Sequence, residues 1–282
     1  MLNKLTLKKQ LNAAFIFMAT IVLVVALVGW TGNMRLSQRI SQISDRVFPA
    51  TVAMWKINEG QTQVQAAERS LLNPGASFEI RQKDLARIES AWKQINEGFS
   101  EYEKISRNVE EEKLYKEFQP LWQAWIATHQ EFLQLNQEFQ KYRIENPRQV
   151  QIDLLIQGKN KTPEFTNAQA ATTANVKMTE QTYMRKAPAF QASTNAMVNL
   201  LNYNANLADS TQKAAAQDVN KTNFWIFAGM IIGPITAFTF GFLLSNTVAK
   251  VLENQVNQSG VKISSSTNQI SSSGKELEAT MN

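Results

Sequence analysis

No cysteine occurs in the chain, which excludes disulfides, thiolate nucleophiles and cysteine metal sites. His129 is the only histidine; a polar position on a helix accounts for it, and no nucleophile triad, phosphate loop or metal cluster is visible around it. With 11 glycines and 7 prolines in 282 residues, the segments between chain breakers are long, as in helical proteins. Charge is equally unclustered. The formal net charge is +5, but basic residues alternate with acids and their longest runs are Lys8-Lys9 and Arg185-Lys186. This reads as solvated helix faces and argues against a nucleic-acid partner. No cofactor, metal or enzymatic activity is expected.

What the sequence does hold is two uncharged apolar runs. The first, Leu11 to Trp30, rises about 30 Å as a helix, the thickness of a bilayer's hydrocarbon core. The second, Phe224 to Leu244, is of similar length, and Gly233-Pro234 is expected to kink it. Trp30 and Trp225 stand at the ends that face each other along the chain, where aromatic belts form. Lys4, Lys8 and Lys9 precede the first run with no acid among them, and Lys250 follows the second. Positive flanks of this kind place residues 1–10 and 245–282 in the cytoplasm and 31–223 outside.

Between the runs, apolar residues recur at helical spacing. Leu36, Ile40, Ile43, Val47, Met54, Ile57, Val64 and Leu71 mark a first helix, bent at Pro49 and ended by Asn73-Pro74-Gly75. Leu85, Ile88, Trp92, Ile95, Phe99 and Tyr102 mark a second. Leu114, Phe118, Leu121, Trp125, Thr128, Phe132, Leu135, Phe139 and Tyr142 mark a third. Its first turn holds Glu110–Glu112, favourable to the helix dipole, and Pro120 marks a kink or the end of a loose first turn. A fourth begins near Pro188 with Phe190, Met197, Leu200, Leu201 and Leu207. Residues 147–186 read as a loop with one or two short helices, or as an extension of the fourth helix. The fold class expected is all-α: two transmembrane helices at 11–30 and 224–244 flanking an extracytoplasmic up-down four-helix bundle at 31–223, then the start of a cytoplasmic coiled coil. In that tail Val256, Ile263, Ile270 and Leu277 are seven apart, with Leu252, Ser259, Ser266, Ser273 and Thr280 in the partner positions of the heptad.

This plan resembles a bacterial methyl-accepting chemotaxis receptor with a four-helix-bundle sensor domain. The local matches are DRVFPATVAMWKI and AERSLLNPG in the first helix, EEEKLYKEFQPLWQAW in the third, and QSGVKISSSTNQISSSGKELEAT in the tail. SNTVAKVLENQVNQSG departs from the family, because it lacks the early proline and acidic-glycine turn of the relay module that many such receptors carry after the second span. The resemblance implies a homodimer in the bacterial inner membrane, in contact with lipid and with both termini cytoplasmic. Outside it would take a small molecule or a binding protein. A histidine kinase and coupling protein would be reached only through a hairpin tip beyond Asn282, so the chain is expected to be truncated before that tip. It implies ligand binding at the dimer interface between first and last outer helices, toward the membrane-distal end, where Arg69 offers a bidentate donor to a carboxylate and Asn199, Asn202 and Tyr203 offer polar groups. It also implies methylation at amide or acid positions flanked by small residues, which Gln269 and Glu276 resemble. The alternatives are the sensor portion of a membrane histidine kinase or diguanylate cyclase, and a structural membrane coiled coil.

Overall fold

The computed structural model describes residues 7–281, with side chains described for 8–276; Lys4, and the heptad side chains of Leu277 and Thr280, lie outside them. The described chain is all-helical. Seven α-helices follow one another: α1 Leu7–Ser41, α2 Phe48–Leu71, α3 Phe78–Tyr102, α4 Val109–Gln140, α5 Pro147–Ile156, α6 Pro163–Gln181 and α7 Ala187–Met281. Two short π-helical stretches, Gln42–Val47 and Thr182–Lys186, join α1 to α2 and α6 to α7 without a break. The chain forms two compact units, one of residues 38–214 and one of residues 1–37 with 215–282.

The larger unit is a four-helix bundle in which α1's end and α2, then α3, then α4, then α6 with the start of α7 serve as the four helices. The starts follow from capping chemistry. Ser77 accepts the Ile80 N–H at the head of α3, and Asn108 Oδ1 accepts the Glu111 N–H at 2.9 Å at the head of α4. The Asn73-Pro74-Gly75 turn ends α2 as its composition predicts. Arg81, itself buried, closes that end by donating to the Leu71 carbonyl, one of the helix-end acceptors, at 3.0 Å and to the Asn73 carbonyl at 2.6 Å, which also accepts the Ala76 N–H.

The third helix departs from its expected seam. The buried residues are Glu111, Tyr115, Phe118, Trp122, Trp125, His129, Phe132, Asn136 and Phe139, a run of alternating steps of four and three. Thr128 is buried beside them. Leu114 and Leu135 only flank the core, and Tyr142 is exposed. A hydrophobicity count favours leucines over tyrosine, histidine and asparagine, so it selects the neighbouring stripe. Pro120 interrupts nothing: α4 begins eleven residues earlier and continues past it, with Pro120 on the exposed face, where water can serve the freed carbonyl. Residues 147–186 combine both expected readings. The α5 helix is short, and the fourth bundle helix extends back to Pro163. Gln151 ties α5 to α6 through the Ala168 carbonyl at 2.9 Å, while Asn175 of α6 donates to the Leu72 carbonyl at 3.0 Å. The α5–α6 hairpin therefore extends beyond the α2–α3 turn.

In the other unit, α1 and α7 carry the two apolar runs. Both are long and apolar enough to cross a membrane, and α7 is helical through Pro234. Their apolar side chains point outward: Ile16, Val22, Phe227, Ile231 and Phe238 are all more than half exposed. The two helices meet where Val25 packs on Gly229 and Thr222 packs on Gly32.

Within the bundle, α2 and α3 approach most closely at two glycines. A Cβ at Gly60 would lie 2.5 Å from Ile95 Cγ1 and 2.9 Å from the Ala91 carbonyl; one at Gly98 would lie 2.7 Å from the Ala53 carbonyl. Replacing an ordinary helical glycine by alanine stabilises by about 1 kcal/mol. Here Gly60→Ala and Gly98→Ala are expected to destabilise instead, by about 1–3 kcal/mol through overpacking. Chemical denaturation of the two variants, with Gly274→Ala in the exposed tail as control, measures the sign.

Candidate functional site

Hydrophobic bundles bury apolar seams, yet this one buries two carboxylates, of which sequence reasoning named only Glu111, and only as part of a helix's first turn. The cluster around each draws on all four helices. Glu68, on α2, is fully buried. Its Oε1 faces His129 Nδ1 of α4 at 2.8 Å, and its Oε2 pairs with the buried ammonium of Lys186, in the Thr182–Lys186 π stretch. Trp92 of α3 donates its indole N–H to His129 Nε2 at 2.9 Å. Because the indole can only donate, Nε2 must accept, so the imidazole is neutral with its proton on Nδ1, donated to Glu68. Burial pulls the Lys186 ammonium below the ordinary lysine range, against the opposing pull of Glu68.

The second cluster surrounds Glu111 of α4, also fully buried. Arg46, in the Gln42–Val47 π stretch, donates to Oε2 at 2.7 Å. The Tyr102 hydroxyl of α3 and the Asn204 amide of α7 each donate to Oε1 at 3.1 Å. Glu111 lies eighteen residues before His129 on α4, so the clusters are separated by roughly 27 Å along that helix. Between them runs a ladder of rings. Trp92 stacks on Trp125 at 5.5 Å, Trp122 meets Trp125 at 4.6 Å, Phe99 meets Trp122 at 5.3 Å, and Tyr102 meets Tyr115 at 5.2 Å.

A common local feature places both cations. The Phe48 N–H reaches back five residues to the Ile43 carbonyl, and the Ala187 N–H does the same to Thr182. Each donor immediately precedes a proline, Pro49 or Pro188. A proline ring crowds the carbonyl four residues back and offers no N–H, and a wider turn accommodates this. Such π turns recur at functional sites.

The expected site residues fall elsewhere. Arg69 is exposed on α2, beside a cleft of about 30 Å³ that it lines with Gln65, Thr182 and Lys186, room for about one water. Asn199 and Asn202 are exposed on α7, and Tyr203 accepts a bond from Asn108 at 2.5 Å. Tyr203 lies seventeen residues beyond Lys186 along the fourth bundle helix, roughly 25 Å away. Within one copy the structure therefore does not bring Arg69 and Tyr203 together. Gln269 is exposed on α7, as is Glu276. His129 belongs to the core, not to a solvated helix face. A signal was present for the clusters: Met54, Ile57, Gln61, Val64, Glu68 and Leu71 keep one unbroken alternation of three and four, so the charge at Glu68 sits on a seam position.

Residues 4–144 match the family described as a four helix bundle sensory module for signal transduction. The chain belongs to that family. Comparison with curated proteins and with solved structures finds no match. The family match of this sensory module takes in Arg46, Glu68, Trp92, Tyr102, Glu111 and His129, while Lys186 and Asn204 lie beyond it.

Burial, with the Glu111 carboxylate beside it, pushes the Tyr102 hydroxyl well above the ordinary phenol range. Burial and a hydrogen bond to Glu103 do the same for Tyr115. A folded-state pKa raised above the unfolded value contributes stability that is fully present below about pH 10 and falls as pH rises beyond it. Ultraviolet titration is expected to show these two of the 5 tyrosines ionising only as the bundle unfolds, with Tyr102→Phe reducing the alkaline loss of stability. Removing Glu111 as Glu111→Leu is expected to cost about 3–5 kcal/mol, the range for a broken buried ion pair; thermal unfolding against Arg46→Met measures it.

Proposed function

We propose that the chain is a two-span transmembrane chemoreceptor of the methyl-accepting type, and not an enzyme, that senses a signal outside the cytoplasm and passes it to a cytoplasmic coiled coil. The observation that carries this reading is a sensory-module bundle whose first and last helices belong to the same continuous helical runs as the two long apolar segments. Outward-facing Ile16, Val22, Phe227 and Phe238 suit contact with lipid acyl chains. The basic residues Lys8 and Lys9 favour cytoplasmic termini in a bacterial inner membrane.

The tail supports the output half of the reading. Val256, Ile263 and Ile270 are each about two-thirds exposed or more on α7, an apolar heptad stripe whose partner is a second helix of the same kind. Gln269 and Glu276 are the positions proposed for methylation. A second copy of the chain is the proposed partner in the bundle as well. Phe48, Val52 and Trp55 recur at steps of four and three on the first bundle helix, and Phe48 and Trp55 are more than half exposed. A small-molecule ligand or a binding protein would act on the first and last bundle helices, where Arg69, Asn199, Asn202 and Tyr203 lie. A kinase and coupling protein would be engaged by the coiled coil. A histidine kinase or diguanylate cyclase output in place of the chemotaxis one is the outcome that catalytic motifs joined to the same tail would select.

The natural absence of cysteine makes the dimer directly measurable. Oxidation of Trp55→Cys in membranes is expected to give one disulfide-linked species of twice the chain mass, at least tenfold faster than Glu97→Cys on exposed α3. Equal rates for the two positions would exclude dimerisation through this face. Chimeras joining residues 1–282 to a chemotaxis signalling hairpin, read by kinase activity, test the output.

A further inference from the structure

The four prolines inside long continuous helical runs of the described residues do not behave alike. Pro120 and Pro234 lie inside regular α-helix. Pro49 and Pro188 follow π stretches. A proline by itself therefore does not impose a π turn in this chain. What distinguishes the second pair is the cation just upstream, Arg46 or Lys186, held by a fully buried glutamate on another helix. A π turn holds one residue more than the α-helix it replaces. Helix downstream of it is therefore out of phase, by about 100° and about 1.5 Å, with the position that an unbroken α-helix would give it. In the α register Lys186 would turn away from Glu68 and leave that carboxylate buried with His129 alone.

We propose that the Thr182–Lys186 π turn is a one-residue register switch in the fourth bundle helix, latched by the Lys186–Glu68 ion pair. Release of the pair anneals the turn to α-helix. The segment on its upstream side is anchored. Gln181 donates to the Thr128 carbonyl at 2.8 Å, and Asn175 is tied to Leu72. The segment from Ala187 onward is therefore the part that turns and advances. It packs Met197 and Leu200 into the core and adds side-chain hydrogen bonds, from Gln61 to Ser193 at 2.6 Å and from Asn204 to Glu111. Advancing by one residue removes Asn204 from Glu111, so the two buried clusters release together. What drives the switch rests on the sensory reading; the register change itself does not, and it can be tested with no ligand.

The test uses spin-label distances in the full chain in lipid. One pair, Glu97→Cys with Asn195→Cys, reports the downstream segment; the other, Gln134→Cys with Glu180→Cys, reports the upstream one. All four positions are exposed. Lys186→Met is expected to move the downstream distance by roughly 5 Å, the swing of a label outside a helix about 10 Å across, and to leave the upstream distance unchanged. Deleting Tyr183, an exposed residue of the π turn, removes the extra residue without changing the downstream phase. Deletion alone should therefore keep both parent distances, and deletion combined with Lys186→Met should restore the parent downstream distance. Amide exchange across 182–190 should slow in the deletion variant. An unchanged downstream distance in Lys186→Met would overturn the proposal, and so would a changed one that deletion of Tyr183 does not restore. Either result would leave the receptor reading standing, since that is decided by cross-linking and chimera output.

Discussion

Two carboxylates with no access to water organise this bundle. An ionised group taken into a protein interior loses hydration worth several kcal/mol even after relaxation, so Glu68 and Glu111 can remain there only if donors converge on them. For Glu111 those donors come from the other three helices; for Glu68 they come from α4 and the fourth helix, with α3 holding His129 in place through Trp92. An apolar seam tolerates small slips of one helix along another; a carboxylate held by fixed donors does not. The two clusters therefore set the register of all four helices, near both ends of the shared core.

The rest of the core follows from that arrangement. Because α3 supplies Trp92 to one cluster and Tyr102 to the other, the α3–α4 interface between them is filled with stacked rings, while the α2–α3 interface is thinned to glycine at positions 60 and 98. One side of the bundle is thick and aromatic, the opposite contact is backbone against side chain. The π turns fit the same logic: each widens the helix where a cation must turn inward ahead of a proline. The helices that carry these turns are the first and the last, the ones that continue into the apolar runs. In a sensory module, the elements with two available hydrogen-bond registers are the ones through which a small displacement can pass.

Much of the fold is legible from periodicity. The α3 stripe from Leu85 to Tyr102 packs as its spacing predicts, and the Asn73-Pro74-Gly75 turn ends α2. The α4 seam is less legible, since Leu114, Leu121 and Leu135 outweigh Tyr115, Trp122 and Asn136 on any scale that scores apolar character alone. The clusters were hidden for the same reason. A glutamate, a lysine and a histidine read as surface when each is scored by itself, and only partners thirty or more residues distant along the chain make their burial affordable. Arg69, conspicuous for its charge near a helix end, is exposed, while Lys186, in the middle of an ambiguous stretch, is interior.

The sequence by itself determines that this protein is helical, that its helices are long, where two of its segments become apolar enough to cross a membrane, and that the segment between them alternates by threes and fours. These are local properties, set by side-chain periodicity and by the scarcity of glycine and proline. Only the tertiary structure decided which face of α4 turns inward, that the fourth helix starts at Pro163, and that charges from separate helices meet in pairs. Those outcomes depend on desolvation, which is a property of the assembled bundle: no residue carries the cost of burial, or the donors that offset it, until the other three helices are in place.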